Sequence, residues 1–315
     1  MGMFGSDYES AGVGIAKNAP KKKGIFRFFE LMFRKFWKLV QVNMLYSAFY
    51  LPLVVAFYAL FGMGNRNLGL MLAGICVIIF AILVGPATAA MMKILRNYTL
   101  EKHAFILTDF KKAFSDNFKK SVALGIIDVL LIISVSSAVY VYSNLADVYG
   151  NVMLVFFVIS LSIGIMAVMM NFYVFLMIVA TDLSFKNIMK NSLALACVAL
   201  KKNLLTLLIV LLVSAVFVVL TIFNLATLFL LPLAPAAFLG FVVAFNSYPV
   251  IQKYVINPYY EQRGEVNPEL EETQTDEGDD EVLFEDKGGQ EAPVEKVKKP
   301  KAKAAKKTPK GKIIS

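Results

Sequence analysis

The chain has 315 residues, 58% of them hydrophobic and 17% charged, with one histidine, two cysteines and a net charge of +9. That is too apolar for a soluble domain, which is usually about 45–50% apolar and about 25% charged. A single histidine excludes an HExxH pair and a zinc cluster built on histidines, and two cysteines give no disulfide framework.

Residues 1–23 are rich in Gly, Ser, Ala and Lys and are expected to be disordered, with no cleavable signal peptide. Residues 24–41, GIFRFFELMFRKFWKLVQ, place Arg27, Glu30, Arg34, Lys38 and Gln41 three and four apart. That spacing predicts an interfacial amphipathic helix with its basic stripe toward anionic headgroups.

Apolar runs of about 20 residues or more follow near 43–62, 68–92, 121–143, 153–180, 204–224 and 226–250. Each is long enough to cross a hydrocarbon core about 30 Å thick, and only helices satisfy their own backbone there. The predicted fold class is all-α, a polytopic helical membrane protein with six transmembrane helices. An alternative of five merges the last two runs.

Lysines and arginines sit at alternate ends of the runs. They precede the first, fill 93–120, return at 186–202, and leave 144–151 empty. The positive-inside bias then puts both termini in the cytoplasm. The same distribution argues against specific nucleic-acid binding. The lipid bilayer is the expected partner, with a membrane-protein partner or a second copy of the chain.

The second run contains LVGPATAAMM, 83–92. Ala81, Gly85 and Ala89 form a small-residue stripe, a device for close helix approach in lipid. Pro86 removes a backbone donor, so a kink is expected. Pro232, Pro235, Ala236, Gly240 and Ala244 repeat the pattern in the sixth run. These two runs are therefore expected to be kinked, closely packed neighbours.

The connector 93–121 predicts a second amphipathic helix, with Thr108 and Asp109 near its start. A weaker echo lies at 184–192. Asp128, in the third run, is an intramembrane carboxylate with no lysine or arginine in the middle of any run to pair with. By default that makes it a functional candidate. Asn171 in the fourth run reads as interhelical glue. A faint correspondence at an offset of 160 aligns Asn43 with Asn203 and Lys93 with Lys253.

Beyond Asn257 the chain becomes acidic (261–295) and then lysine-rich (296–312). The domain reading is thus 1–23 disordered, 24–41 interfacial, 42–255 transmembrane and 256–315 a disordered charged tail.

The block GPATAA at 85–90, with Leu95-Arg96-Asn97-Tyr98, Glu101, His103-Ala104-Phe105, Asp109-Phe110 and the stretch Asn117 to Ser121, resembles the YesL-like family of bacterial membrane proteins. NMLYSAFYLP, 43–52, is similar to that family's entry into its first helix. In the family pattern the two prolines lie closer together; here Pro52 and Pro86 leave room for a hairpin.

The resemblance implies an integral membrane accessory of the bacterial cytoplasmic membrane, of unestablished function, often associated with carbohydrate uptake. On that reading Arg96, Asn97, Glu101, His103 and Asp109 form a docking face on the 93–120 connector. The alternative is a small-solute transporter, its path lined by Asp128 and by kinked spans two and six. No catalytic residue, cofactor or metal is expected on either reading.

Overall fold

The computed structural model describes residues 24–224, 227, 230, 233 and 235–269. The helices run α1 Ile25–Arg34, α2 Phe36–Ser47, α3 Leu51–Gly62, α4 Arg66–Thr99, α5 Ile106–Asp116 and α6 Phe118–Tyr149. They continue α7 Val152–Ala180, α8 Phe185–Val198, α9 Leu200–Phe223, α10 Ala236–Ile251 and α11 Asn257–Glu261. Among the described residues, five stretches are long and apolar enough to cross a membrane: Phe36–Gly62 (α2 and α3 joined by a 3-10 turn), α4, α6, α7 and α9. Their outer faces expose Phe57, Ile78, Ile132, Phe156 and Leu212, as helices in lipid require.

The elements fall into three similar units. Each starts with a short helix, breaks at one residue, enters a long apolar helix and returns in a second one. The breaks are Lys35, Asn117 and Ala199, evenly spaced 82 residues apart. Their backbones match, with φ/ψ of −105/10, −103/5 and −97/30. This sparsely populated bridge region turns a chain without stopping it.

Helical hydrogen bonding carries through each break. The N–H groups of Lys35, Asn117 and Ala199 donate to Leu31, Ala113 and Leu195. Their carbonyls then accept from Leu39, Ser121 and Asn203. The register persists inside the bundle. Leu39, Ser121 and Asn203 are buried, as are Val42, Leu124 and Thr206 one turn later.

The core lies between these units, concentrated at the lysine-rich end. It is built on the second half of α4 and on residues 172–180 of α7, which are buried without interruption. Gly85 makes the closest helix approach. A Cβ there would fall 1.9 Å from the carbonyl oxygen of Ser121, and one on Gly125 would fall 2.8 Å from the backbone nitrogen of Gly85. The stripe predicted in span two thus exists, but it serves span three.

Spans two and six are neighbours, as expected, through a different contact. Gly240 of α10 receives the side chains of Leu95 and Met91 from α4. Helix α4 runs unbroken through the buried Pro86.

The sixth run departs from expectation. Its helix, α10, has 16 residues, about 24 Å at 1.5 Å per residue and short of a full crossing. It starts beside the first span, where the Ala237 N–H donates to Asn43 Oδ1 (2.9 Å). The two last runs are not merged, so the five long helices do not arise as the five-span alternative expects. Pro235 is the residue before α10; Pro232 lies outside the described residues.

Three further corrections follow. The segment 24–41 is two helices broken at Lys35, the second belonging to the first span. The tail expected to be disordered from 256 is ordered further: a π-turn at Gln252–Ile256 leads into α11, and Asn267 and Glu269 are buried. The internal repeat has a period of 82 rather than an offset of 160, so Asn43 and Asn203 are one helical turn out of register. Residues 1–23 and 270–315 lie outside the described residues.

Candidate functional site

A cavity of about 760 Å³ lies among the spans. All six apolar runs contribute to its wall, and the contribution follows the repeat. The eleventh residue after each break faces it: Tyr46, Asp128 and Val210. The returning helices add Gly85, Thr88 and Met92 from α4, Val168, Asn171 and Phe175 from α7, and Ala236, Leu239 and Val243 from α10. These three sets share one helical spacing, steps of three and then four residues.

Its polarity does not follow the symmetry. Units one and two carry Tyr46, Tyr50, Thr88, Asp128 and Asn171, whereas unit three presents Val210, Leu239 and Val243. The two intramembrane polar residues singled out in the sequence meet here. Asn171 Nδ2 donates to Asp128 Oδ1 at 2.8 Å.

On the facing wall the hydroxyls form a chain. Tyr50 donates to Tyr46 (3.5 Å), and Thr88 donates to the carbonyl of Val84 (2.8 Å). Thr88 has one hydroxyl proton, so in the 2.9 Å contact between Tyr46 and Thr88 the tyrosine is the donor. The Val84 carbonyl lies in the turn before Pro86, so the Gly-Pro-Ala-Thr block contributes to the wall as well as to packing. Neither Lys nor Arg is among the lining residues.

A second polar cluster closes the lysine-rich end of α4. Arg96 is buried and ion-paired with Glu269, which also accepts from Tyr248 (2.6 Å) and Gln252 (3.0 Å). Burial pushes the Glu269 carboxyl up. The Arg96 guanidinium and the Tyr248 and Gln252 donors outweigh it and hold the group below the usual glutamate range. The guanidinium also stacks on the Tyr248 ring, 4.8 Å from its centroid.

The expected docking face is largely turned inward. Arg96 is 3% exposed. Glu101 ties the connector to α1 through Arg27 (3.3 Å) and Arg34 (2.5 Å). Asp109 accepts from the Phe105 N–H at the start of α5 (2.9 Å). Asn97 is half-buried, and its carbonyl accepts from Lys102. Glu101 and His103 remain exposed, the His103 ring 4.7 Å from that of Phe105 and tilted against it.

Tyr46 and Tyr50 were legible only through the period of 82, since Tyr46 lies one repeat before Asp128. Glu269 gives no sequence signal, because it lies 173 residues from its partner Arg96.

Residues 39–137 match the family described as Protein of unknown function, DUF624. The match falls on the stretch that carries the YesL-like resemblance. It runs from within α2 to within α6, taking in Tyr46, Thr88 and Asp128 and ending before Asn171. No curated protein and no solved structure matches the chain.

Proposed function

We propose that this multi-pass membrane protein binds a small amphiphilic solute in the cavity between its three units and moves it across the membrane. The observation that carries this reading is the convergence of equivalent positions, Tyr46, Asp128 and Val210, on one space lined by every apolar run. Parallel repeats about an axis along the membrane normal, with a site where they meet, are a transporter architecture. An intramembrane carboxylate at that site fits the same reading. We place the lysine-rich face in the cytoplasm and the chain in the bacterial cytoplasmic membrane, following the charge bias and the family resemblance.

The test is photolabelling of the full chain in nanodiscs with a short alkyl diazirine, followed by peptide mapping. Adducts at Asp128 and Tyr46 should saturate with dose and fall about tenfold when Val210→Phe narrows the cavity. Adducts at the lipid-exposed Tyr140 should be unchanged and rise linearly. Linear, unsaturable labelling at Asp128 would sink the proposal.

A second reading, the membrane accessory, is favoured by one observation. His103, Phe105 and Leu107 form an outward apolar edge at the start of α5, with Phe105 68% and Leu107 72% exposed. A crosslinker at Phe105 that captures one membrane protein, and loses it on His103→Ala, would support docking. Lipid adducts alone would reject it. Association with a carbohydrate uptake system belongs to this reading and rests on the family resemblance.

A further inference from the structure

The cavity's hydrogen-bonding inventory points to the chemistry of its occupant; this step rests on the binding reading above. The hydroxyl donors are spent. Tyr50 gives its proton to Tyr46, Tyr46 to Thr88, and Thr88 to the Val84 carbonyl. The acceptors are not. Asn171 Oδ1 is buried with no partner, and Asp128 uses only Oδ1 toward Asn171 Nδ2. The paired side chains of Asp128 and Asn171, on neighbouring helices, thus each leave an acceptor oxygen over, and one of them belongs to a carboxylate.

A buried acceptor left unpaired costs about 1–3 kcal/mol, and a buried charge more. Among the lining residues there is no lysine or arginine to compensate. The described wall supplies no positive complement, so a bound molecule that brings donors and positive charge fits it. The rest of the wall sets its body: unit three contributes Val210, Leu239 and Val243, and α7 adds Phe172 and Phe175. Charge at one wall and hydrocarbon at the other fit one molecular shape.

We propose that the site takes a lipophilic ammonium, a primary or secondary amine carrying an aliphatic or aromatic body. Its N–H groups bond Asp128 Oδ2 and Asn171 Oδ1, and its body lies against unit three. Size agrees, since about 760 Å³ admits a small-molecule ligand of the usual range.

Three probes matched in length make the test: octylamine, octanol and octanoate, titrated at pH 7.5 into the full chain in nanodiscs. Binding is read by displacement of the saturable diazirine label at Tyr46. The amine should displace it at least tenfold more tightly than the alcohol, with octanoate weakest. Asp128→Asn should bring amine and alcohol within about twofold of each other. Asn171→Leu should weaken the amine about fivefold or more.

Equal displacement by all three probes would overturn the ammonium assignment and leave the cavity reading standing. Absence of any saturable label would overturn both. Unchanged amine preference in Asp128→Asn, with the variant monodisperse and helical by circular dichroism, would also reject the assignment.

Discussion

Gly85 shows how little room one residue can leave. Its α-carbon meets the backbone of α6, so any side chain pushes two helices apart rather than one rotamer aside. Overpacking a core usually costs about 1–3 kcal/mol, and backbone against backbone has no cheap relaxation. Gly85→Val should lower the unfolding midpoint in detergent strongly, by at least that range. Gly74→Ala is the control on the same helix. Nothing lies within 4 Å of its Cβ, and the better helix propensity should leave stability unchanged or raise it by up to about 1 kcal/mol.

The Arg96–Glu269 pair is the second residue-scale case. Removing one partner strands a buried charge, so Glu269→Ala should cost about 3–5 kcal/mol, while Arg96→Met with Glu269→Leu should recover much of it. The pH sign follows from the depressed carboxyl. Its contribution is present above the ordinary glutamate value of 4.5 and is lost as pH falls through the lower folded value. Hydrogen exchange of residues 257–269, corrected for intrinsic rate, should therefore accelerate below pH 4.5 and not above it.

At the scale of elements, the breaks explain what the sequence could and could not reveal. Long apolar runs are legible because lipid leaves a helix no other way to satisfy its backbone. The turns at Lys35, Asn117 and Ala199 are not legible, because three unrelated residue types hold one conformation. What they share is the tertiary pull of the span that follows. The small-residue stripe of α4 was legible as a packing device, but its partner was not; periodicity gives a face and not a neighbour. Asp128 stood out by its cost in lipid, whereas Tyr46 looked like an ordinary apolar-run residue until the period tied the two together.

Asn203 shows how a unit is pinned after its break. Its Nδ2 donates to the Leu195 and Ala196 carbonyls (3.1 and 2.9 Å), and its Oδ1 accepts from Tyr173. One side chain thus fastens the end of α8 and the core face of α7 to α9. Asn203→Ala should destabilise by about 1–3 kcal/mol, because the Tyr173 hydroxyl loses its acceptor and the Leu195 and Ala196 carbonyls lose a donor. Asn203→Ala with Tyr173→Phe should cost less than the sum of the two single changes, read from a thermal double-mutant cycle.

For the whole molecule, the polar ties fix where the chain's described ends lie. Arg27 and Arg34 of α1 meet Glu101 just beyond α4, while Glu269 meets Arg96 within its last turn. Both described ends therefore sit at one end of α4, the lysine-rich one, although five helices among the described residues are long enough to cross. The short α10 supplies the return, held at its start by Asn43 and at its end by the Tyr248–Glu269 bond. The exposed Cys197, in the last turn of α8, lies on the same face, and the hairpin at Gly150 and Asn151 lies opposite. An impermeant maleimide applied to sealed vesicles should label Cys197 from the lysine-rich side only. In a Cys197→Ser background, Asn151→Cys should be labelled from the other side only. A cysteine placed at Glu265, which is exposed just before the buried Asn267, should follow Cys197. Labelling of that cysteine from the Asn151 side would mean that the last two runs form one crossing. The Arg96–Glu269 pair forbids that arrangement, because Glu269 would then lie a membrane's width from its partner.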